Sequence, residues 1–306
     1  YYQNTYSFTN IHYHFYEKKI LYIIYMIKKT LLVNLIFTSF IALDYWLYPD
    51  LFCSFISIIG FMGLIWLISL MVKDASIVDI FWGPCFVVFG LSINYFIGEP
   101  SERALLILGL VSLWALRIAL HIGIRNIGHG EDVRYIGWRK EAGQHWWWFS
   151  FFRVFYLQGC LAYFVGMPLY FGQINPATLT TIEIVICTSL FVLGLFWETI
   201  SDLQLKSFRK NPNNKGKICD VGLWKYSRRP NYFGDLMCWI GLFAFTVSSM
   251  DILSIVLSAC GPIVMGLIFY KITGPMMDAM MIKSRSEYKE YIKNSNMLLP
   301  NLMKGK

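Results

Sequence analysis

Long apolar runs recur along the chain and are separated by short polar connectors. Each run has about the length that an α-helix needs to cross a hydrocarbon core of ~30 Å. The pattern predicts eight membrane-spanning helices, with six or seven as the alternatives. The predicted spans are residues 31–48, 51–72, 77–97, 104–124, 146–172, 178–200, 232–249 and 252–273. We therefore expect an all-α fold, a polytopic transmembrane helical bundle.

Lysine and arginine are concentrated in alternate connectors. Most of them lie at 125–145, at 201–231 and after residue 274, whereas 98–103 holds one and 173–177 holds none. Basic connectors remain on the cytoplasmic side of a membrane. The distribution therefore predicts that both termini are cytoplasmic.

Composition supports a membrane protein and excludes several other classes. Hydrophobic residues make up 56% of the chain and charged residues 15%, against about 25% charged in an ordinary soluble protein. The net charge of +8 follows from the basic connectors, so we expect the bilayer as a partner and no nucleic acid. The seven cysteines show no paired spacing, which indicates neither a metal site nor a disulfide framework.

The start of the chain differs in character from the rest. Residues 1–25 mix Tyr, His and Lys, and Met26 precedes two lysines and an apolar run. We interpret residues 1–30 as an N-terminal extension that need not be native, with Met26 as a candidate start. Residues 31–306 are then expected to form a single integral membrane domain, whose part at 197–302 carries the candidate cofactor site.

A polar face follows the sixth predicted span. If the helix continues past residue 200, Asp202, Lys206 and Arg209 fall at i, i+4 and i+7, on one side. This face has two interpretations. It is either a salt-bridged helix end at the membrane interface or a surface turned toward a ligand.

Two arginines precede the next helix. Arg228 and Arg229 stand just before Pro230, a residue typical of the first turn of a helix. Guanidinium groups beside the N–H groups of a helix start favour an anion such as phosphate. Asn231 and Asp235 follow at i, i+4 on the same helix. The alternative is that both arginines pair with Asp235.

These residues carry a resemblance. The stretch 223–241, with Arg-Arg-Pro-Asn-Tyr-Phe-Gly-Asp at its centre, resembles the C-terminal domain of the steroid 5-alpha-reductase family, and most of all its branch called domain of unknown function 1295. Residues 76–83 and 153–159 resemble the same branch. The similarity extends over about residues 50–302.

The resemblance implies an NADPH-dependent reductase that acts on an activated double bond in an apolar lipid. By position, Asp202 and Arg209 match residues that hold the cofactor in the family, and Asn231 and Asp235 match the segment that cradles it. We assign neighbouring residues to the same cofactor-binding segment: Tyr226, Arg228, Arg229 and Tyr232. A multi-pass protein of the endoplasmic reticulum or another endomembrane is implied for a eukaryotic cell.

Reduction of a conjugated enone needs a hydride donor and an acid. The family's proton-donating Gln-Glu pair has no match in this sequence. Asp79 and His121 are the candidate catalytic residues, and Glu198 is a further candidate. For Asp79 the alternative is an architectural bond to Arg117.

Two other functions compete with the reductase. Methyl transfer from S-adenosylmethionine, as in isoprenylcysteine carboxyl methyltransferases, would use a cofactor with a sulfonium cation and no phosphate. The basic residues between 206 and 229 favour NADPH, which carries several phosphates. A lipid-binding or transport protein without catalysis is the second alternative. The oligomeric state stays open.

Overall fold

The computed structural model describes the backbone of residues 5–248 and 250–301, and the side chains of residues 20–248 and 250–301. Within these residues the chain forms helices and no strands. Seven of the described helical segments are long and apolar enough to cross a membrane. The prediction of an all-α, polytopic bundle with six to eight spans is therefore confirmed.

The described helices follow one another with short connections. They are α1 (Thr5–Leu47), α2 (Pro49–Val72), α3 (Ile77–Ile97), α4 (Glu102–Asn126), α5 (Val133–Ala142), α6 (Trp146–Ser150), α7 (Leu157–Val165), α8 (Met167–Ile174), α9 (Thr181–Lys210), α10 (Pro230–Val247), α11 (Ile252–Leu267), α12 (Gly274–Ser284) and α13 (Tyr288–Lys293). Two π-helical segments, Phe151–Tyr156 and Ile268–Thr273, connect α6 to α7 and α11 to α12.

Two predicted spans differ in detail from the observed helices. The span predicted at 146–172 is divided, because the apolar segment Val133–Val165 ends before α8, whose first turn contains Pro168. The span predicted at 232–249 forms α10, which is not one of the seven apolar segments. Polar residues in its first two turns, Asn231 and Asp235 among them, lower its hydropathy.

The chain divides into two compact units. Unit 1 comprises residues up to 96 together with 115–163, and unit 2 comprises 97–114 together with the rest of the chain from 164. The single membrane domain at 31–306 stays a prediction, as does the extension at 1–30.

In unit 1, polar residues of α1 fasten it to the π-helical segment Phe151–Tyr156. The Nδ2 of Asn34 donates to the carbonyl of Phe152 at 2.9 Å, and Thr38 shares a hydrogen bond with the hydroxyl of Tyr156. One turn earlier, Thr30 accepts from Arg153 at 3.1 Å. A π-helix shifts its carbonyls out of the regular α-helical register, and Asn34 satisfies one of them.

In unit 2, α9 and α10 pack with their backbones close together. A Cβ at Gly194 would lie 2.7 Å from the backbone N of Cys238, and one at Gly241 would lie 2.7 Å from the backbone N of Phe191. Only glycine permits these approaches. The close packing fixes how the end of α9 lies against the start of α10, where the predicted cofactor residues stand.

Candidate cofactor-binding site

A cavity of about 590 Å³ lies at the C-terminal end of α9 in unit 2. Basic side chains dominate its lining: Arg209, Lys210, Lys215, Lys217, Arg228, Arg229 and Arg285. None of the described residues that line it is acidic. The cavity is therefore electropositive and large enough for a ligand of nucleotide size.

Aromatic residues form another part of the lining. Trp224, Tyr288 and Tyr291 all border the cavity. The hydroxyl of Tyr291 donates to the carbonyl of Trp224 at 3.1 Å. This hydrogen bond connects α13 to the loop before α10. Burial raises the pKa of Tyr288 to about 12, and the negative charge of Asp278 beside its hydroxyl acts in the same direction. Burial likewise raises the pKa of Tyr291.

Arg228 and Arg229 share one carboxylate. The Nε of Arg228 is 3.0 Å from Oδ2 of Asp278, and the Nη2 of Arg229 is 3.2 Å from Oδ1. The alternative in which both arginines pair with Asp235 is thus wrong, because Asp278 of α12 occupies that place. Sequence reasoning missed Asp278, although an acid inside the apolar run 272–282 was an available signal.

The C-terminal segment at 295–301, here called the strap, pairs with the loop that carries these arginines. The backbone N–H groups of Arg228 and Arg229 donate to the carbonyls of Asn296 and Met297 at 3.0 and 3.1 Å. In return, the N–H of Asn301 donates to the carbonyl of Tyr226 at 2.8 Å. The backbone N–H groups of both arginines are therefore used within the protein, and it is as cavity-lining residues that Arg228 and Arg229 are candidates for ligand binding.

The predicted cofactor residues of α9 and α10 form a second group. The helix α9 continues to Lys210, as the polar face requires, and it places Asp202 beside α10. The Nδ2 of Asn231 donates to Oδ1 of Asp202 at 3.2 Å, while the Oδ1 of Asn231 is buried without a partner in the described part of the chain. Asp235 is buried on the same helix. Of this group and Arg209, only Arg209 lines the cavity.

Neither predicted tyrosine lines the cavity. Tyr232 stacks on Phe269 with ring centroids 4.5 Å apart, and the guanidinium of Arg229 lies 5.9 Å from the Tyr232 ring centroid. Tyr226 contributes its carbonyl to the strap. Both residues therefore make contacts that support the loop at 226–229 before α10, here called the arginine loop.

The predicted acid Asp79 lies in unit 1 within a hydrogen-bonded cluster. Its carboxylate accepts from Arg134 at 2.7 Å and from the hydroxyl of Tyr135 at 2.6 Å. The structural ion pair that the sequence analysis considered for Asp79 is thus formed with Arg134 and not with Arg117. Burial acts to raise the pKa of the neighbouring Asp132, but hydrogen bonds from Arg134 lower it overall. His121 is half-buried on α4.

Comparison with known proteins identifies a family. The sequence profile of the family described as "Protein of unknown function (DUF1295)" matches residues 65–295, about three-quarters of the chain. The match includes both the arginine loop and Asp79. No protein of curated function matches the sequence.

Proposed function

The chain belongs to the DUF1295 family, part of the steroid 5-alpha-reductase-like group, and from that membership we propose that it is a membrane-bound reductase. In this proposal it uses NADPH to reduce a conjugated double bond in an apolar lipid, of the steroid, sterol, enoyl or isoprenoid type. The location that we propose is an endomembrane such as the endoplasmic reticulum.

One observation carries the proposal, the cavity with seven basic side chains and no acidic one in its described lining. NADPH brings a pyrophosphate and a further phosphate on its ribose. Arginine and lysine are the side chains that bind such groups with charge-assisted hydrogen bonds. S-adenosylmethionine has a sulfonium cation and no phosphate, so this lining offers it little and favours the reductase.

The residues present fit the cofactor in two further respects. The Nε of Arg229 is buried without a hydrogen-bond partner in the described part of the chain, although the same side chain borders the cavity. The Oδ1 of Asn231 is also an unused acceptor. We propose that the basic side chains hold the phosphates, and we keep Asn231, which does not line the cavity, in the cofactor-binding segment on the strength of the family resemblance.

When bound, NADPH supplies a hydride. The chain itself must orient the phosphates, keep water from the reacting carbon and provide a proton. For the proton we propose Asp79 and His121, the two residues predicted from the sequence. Because Tyr135 donates to Asp79, a Tyr135→Phe variant tests whether the cluster positions that carboxylate. We expect a lower kcat with unchanged stabilisation by NADPH.

The cofactor can be tested by thermal stability of the purified protein in detergent. A ligand at 100 times its dissociation constant stabilises the state that binds it by ~2.7 kcal/mol. We expect NADPH to raise the melting temperature, NADH to raise it less because it lacks the ribose phosphate, and S-adenosylmethionine to leave it unchanged.

Two variants on one helix identify the site. Arg209→Gln removes a basic group that lines the cavity, whereas Lys206→Gln removes one that is exposed on the same helix and does not line it. We expect the first to weaken the response to NADPH and the second to retain it. A response to S-adenosylmethionine alone would assign the protein to the methyltransferases. No response to either would favour a lipid-binding or transport protein.

A further inference from the structure

At the other end of α9 from the cavity, unit 2 buries a guanidinium that is only partly hydrogen-bonded. Arg103 stands in the first turn of α4 and is 3% exposed. Its Nη1 donates to the carbonyl of Phe245 at 3.2 Å. The Nε and Nη2 have no hydrogen-bond partner within the described residues. One edge of a buried cation is therefore unused.

The edge of arginine formed by Nε and Nη2 is the one that binds the two oxygens of a carboxylate or a phosphate. Arg139 of the same protein illustrates the geometry, because its Nε and Nη2 lie 2.9 and 2.8 Å from the two carboxylate oxygens of Glu131. Two parallel N–H groups match a carboxylate or a phosphate equally well. Arg103 presents the same pair of donors without an acceptor from the described chain.

Gln173 is a second buried polar residue in the part of unit 2 that contains Arg103. A Cβ on the preceding Gly172 would lie 2.6 Å from Ile107 and 3.5 Å from Thr246. Ile107 is one turn beyond Arg103 on α4, and Thr246 follows the carbonyl to which Arg103 donates. The amide of Gln173 is 2% exposed, and neither its N nor its O has a partner in the described chain.

Glu183 is the acid whose charge acts on Arg103, but its carboxylate is hydrogen-bonded to another residue. Glu183 acts on Arg103 through space, but its Oε2 accepts from the backbone N–H and the hydroxyl of Thr180, both at 2.8 Å. These bonds close the N-terminus of α9. The N-terminal end of α4 adds positive potential around Arg103.

We propose that Arg103 and Gln173 form a binding site for an oxyanion, a carboxylate or a phosphate. In this site the Nε and Nη2 of Arg103 donate to two oxygens of the anion, and the side-chain amide of Gln173 makes a further hydrogen bond to the ligand. Leu105, Ile182 and Val247 are exposed at this end of the unit, where acyl chains would cover them. The oxyanion is therefore either the head group of a lipid or a small free anion. Residues 183 and 209 are roughly 39 Å apart along α9, so the site is separate from the cofactor cavity.

The test uses the full chain in detergent and measures its melting temperature. The probes are a long-chain fatty acid, its methyl ester, a lysophosphatidic acid, acetate and inorganic phosphate. We expect the oxyanion probes to raise the melting temperature and the ester, which has no negative charge, to leave it unchanged. A response to the amphiphiles alone identifies a lipid, and an equal response to acetate or phosphate identifies a free anion.

Two variants decide whether this site is responsible. Arg103→Lys keeps the charge and loses the two-donor edge, and because loss of one charge-assisted hydrogen bond lowers affinity about tenfold or more, we expect a change of that size. Gln173→Leu removes an amide that has no partner in the described chain, so the protein should fold as before and bind the oxyanion less tightly. Both should keep the response to NADPH. The proposal is overturned if both variants bind like the parent, or if the ester matches the acid.

Discussion

At the scale of single residues, the carboxylate of Asp278 connects three side chains at the candidate cofactor site. Its two carboxylate oxygens bind Arg228, Arg229 and the hydroxyl of Tyr288, and its side chain is 10% exposed. One carboxylate thus binds two arginines of the loop before α10 and one tyrosine of α13. Two of the seven basic side chains that line the cavity are partly neutralised by it.

Replacing Asp278 should destabilise the protein. Asp278→Asn leaves the buried Arg229 and the partly buried Arg228 without their shared counter-charge, and loss of one partner of a buried ion pair costs about 3 kcal/mol or more. A clearly lower melting temperature is expected. Glu290→Gln is the matched control, because the pair of Glu290 with Lys293 is exposed and such pairs contribute under about 1 kcal/mol. Equal melting temperatures for the two variants would contradict the role of Asp278.

Stability should fall at high pH through Tyr288. Its pKa is about 12 in the folded protein and 10 in its ordinary state, so the folded chain binds this proton more tightly than the unfolded chain. The resulting stabilisation is complete below pH 10 and is lost as the pH rises from 10 to 12. Melting temperatures over that range, compared with those of Tyr288→Phe, would measure it. The difference between the two proteins should shrink as the pH rises.

At the scale of elements, the pairing of α9 with α10 positions Asp202 beside Asn231. The sequence predicted both helices and the polar face of α9, because apolar runs and i, i+4 spacing are local signals. Three of the cofactor residues named from the sequence, Arg209, Arg228 and Arg229, line the cavity, but the sequence could not predict how the rest of the lining comes together. That depends on α12, α13 and the strap, which reach the arginine loop through contacts between distant parts of the chain. A single acid in an apolar run gave only a weak indication of Asp278.

The close packing of α9 and α10 predicts a sharp difference between two glycines. Gly241→Ala would place its Cβ 2.7 Å from the backbone N of Phe191, and forced overpacking of this kind costs about 1–3 kcal/mol. Gly60→Ala on α2 meets no atom within 4 Å, so helix propensity alone should stabilise it by up to ~1 kcal/mol. The two variants are expected to shift the melting temperature in opposite directions. A neutral Gly241→Ala would show that the helices can separate without cost.

At the scale of the whole molecule, the number of membrane crossings depends on α10. Its 18 residues span ~27 Å, although its hydropathy does not place it with the seven apolar segments. The cavity brings residues 205–219 and 277–291 to one end of unit 2. The chain must therefore run away from that end along α10 and return along α11, which supports eight crossings within the described residues.

Cysteine labelling in intact membranes would count these crossings. In a chain freed of its native cysteines, we expect Asn213→Cys and Lys289→Cys to react from the cytoplasmic side. Met250→Cys, between α10 and α11, should react only from the opposite side, together with Thr178→Cys before α9. If Met250→Cys reacted from the same side as Asn213→Cys, α10 would not cross the membrane.

The strap also has a consequence for biosynthesis. Ser227 donates to the carbonyl of Met297, 70 residues later in the chain, and the N–H groups of Arg228 and Arg229 depend on the same segment. During translation the arginine loop is therefore made well before its partners, and it lacks them until residues 296 and 297 have left the ribosome. The helices up to α12 are therefore made first, and the candidate cofactor cavity is completed only once the strap has emerged.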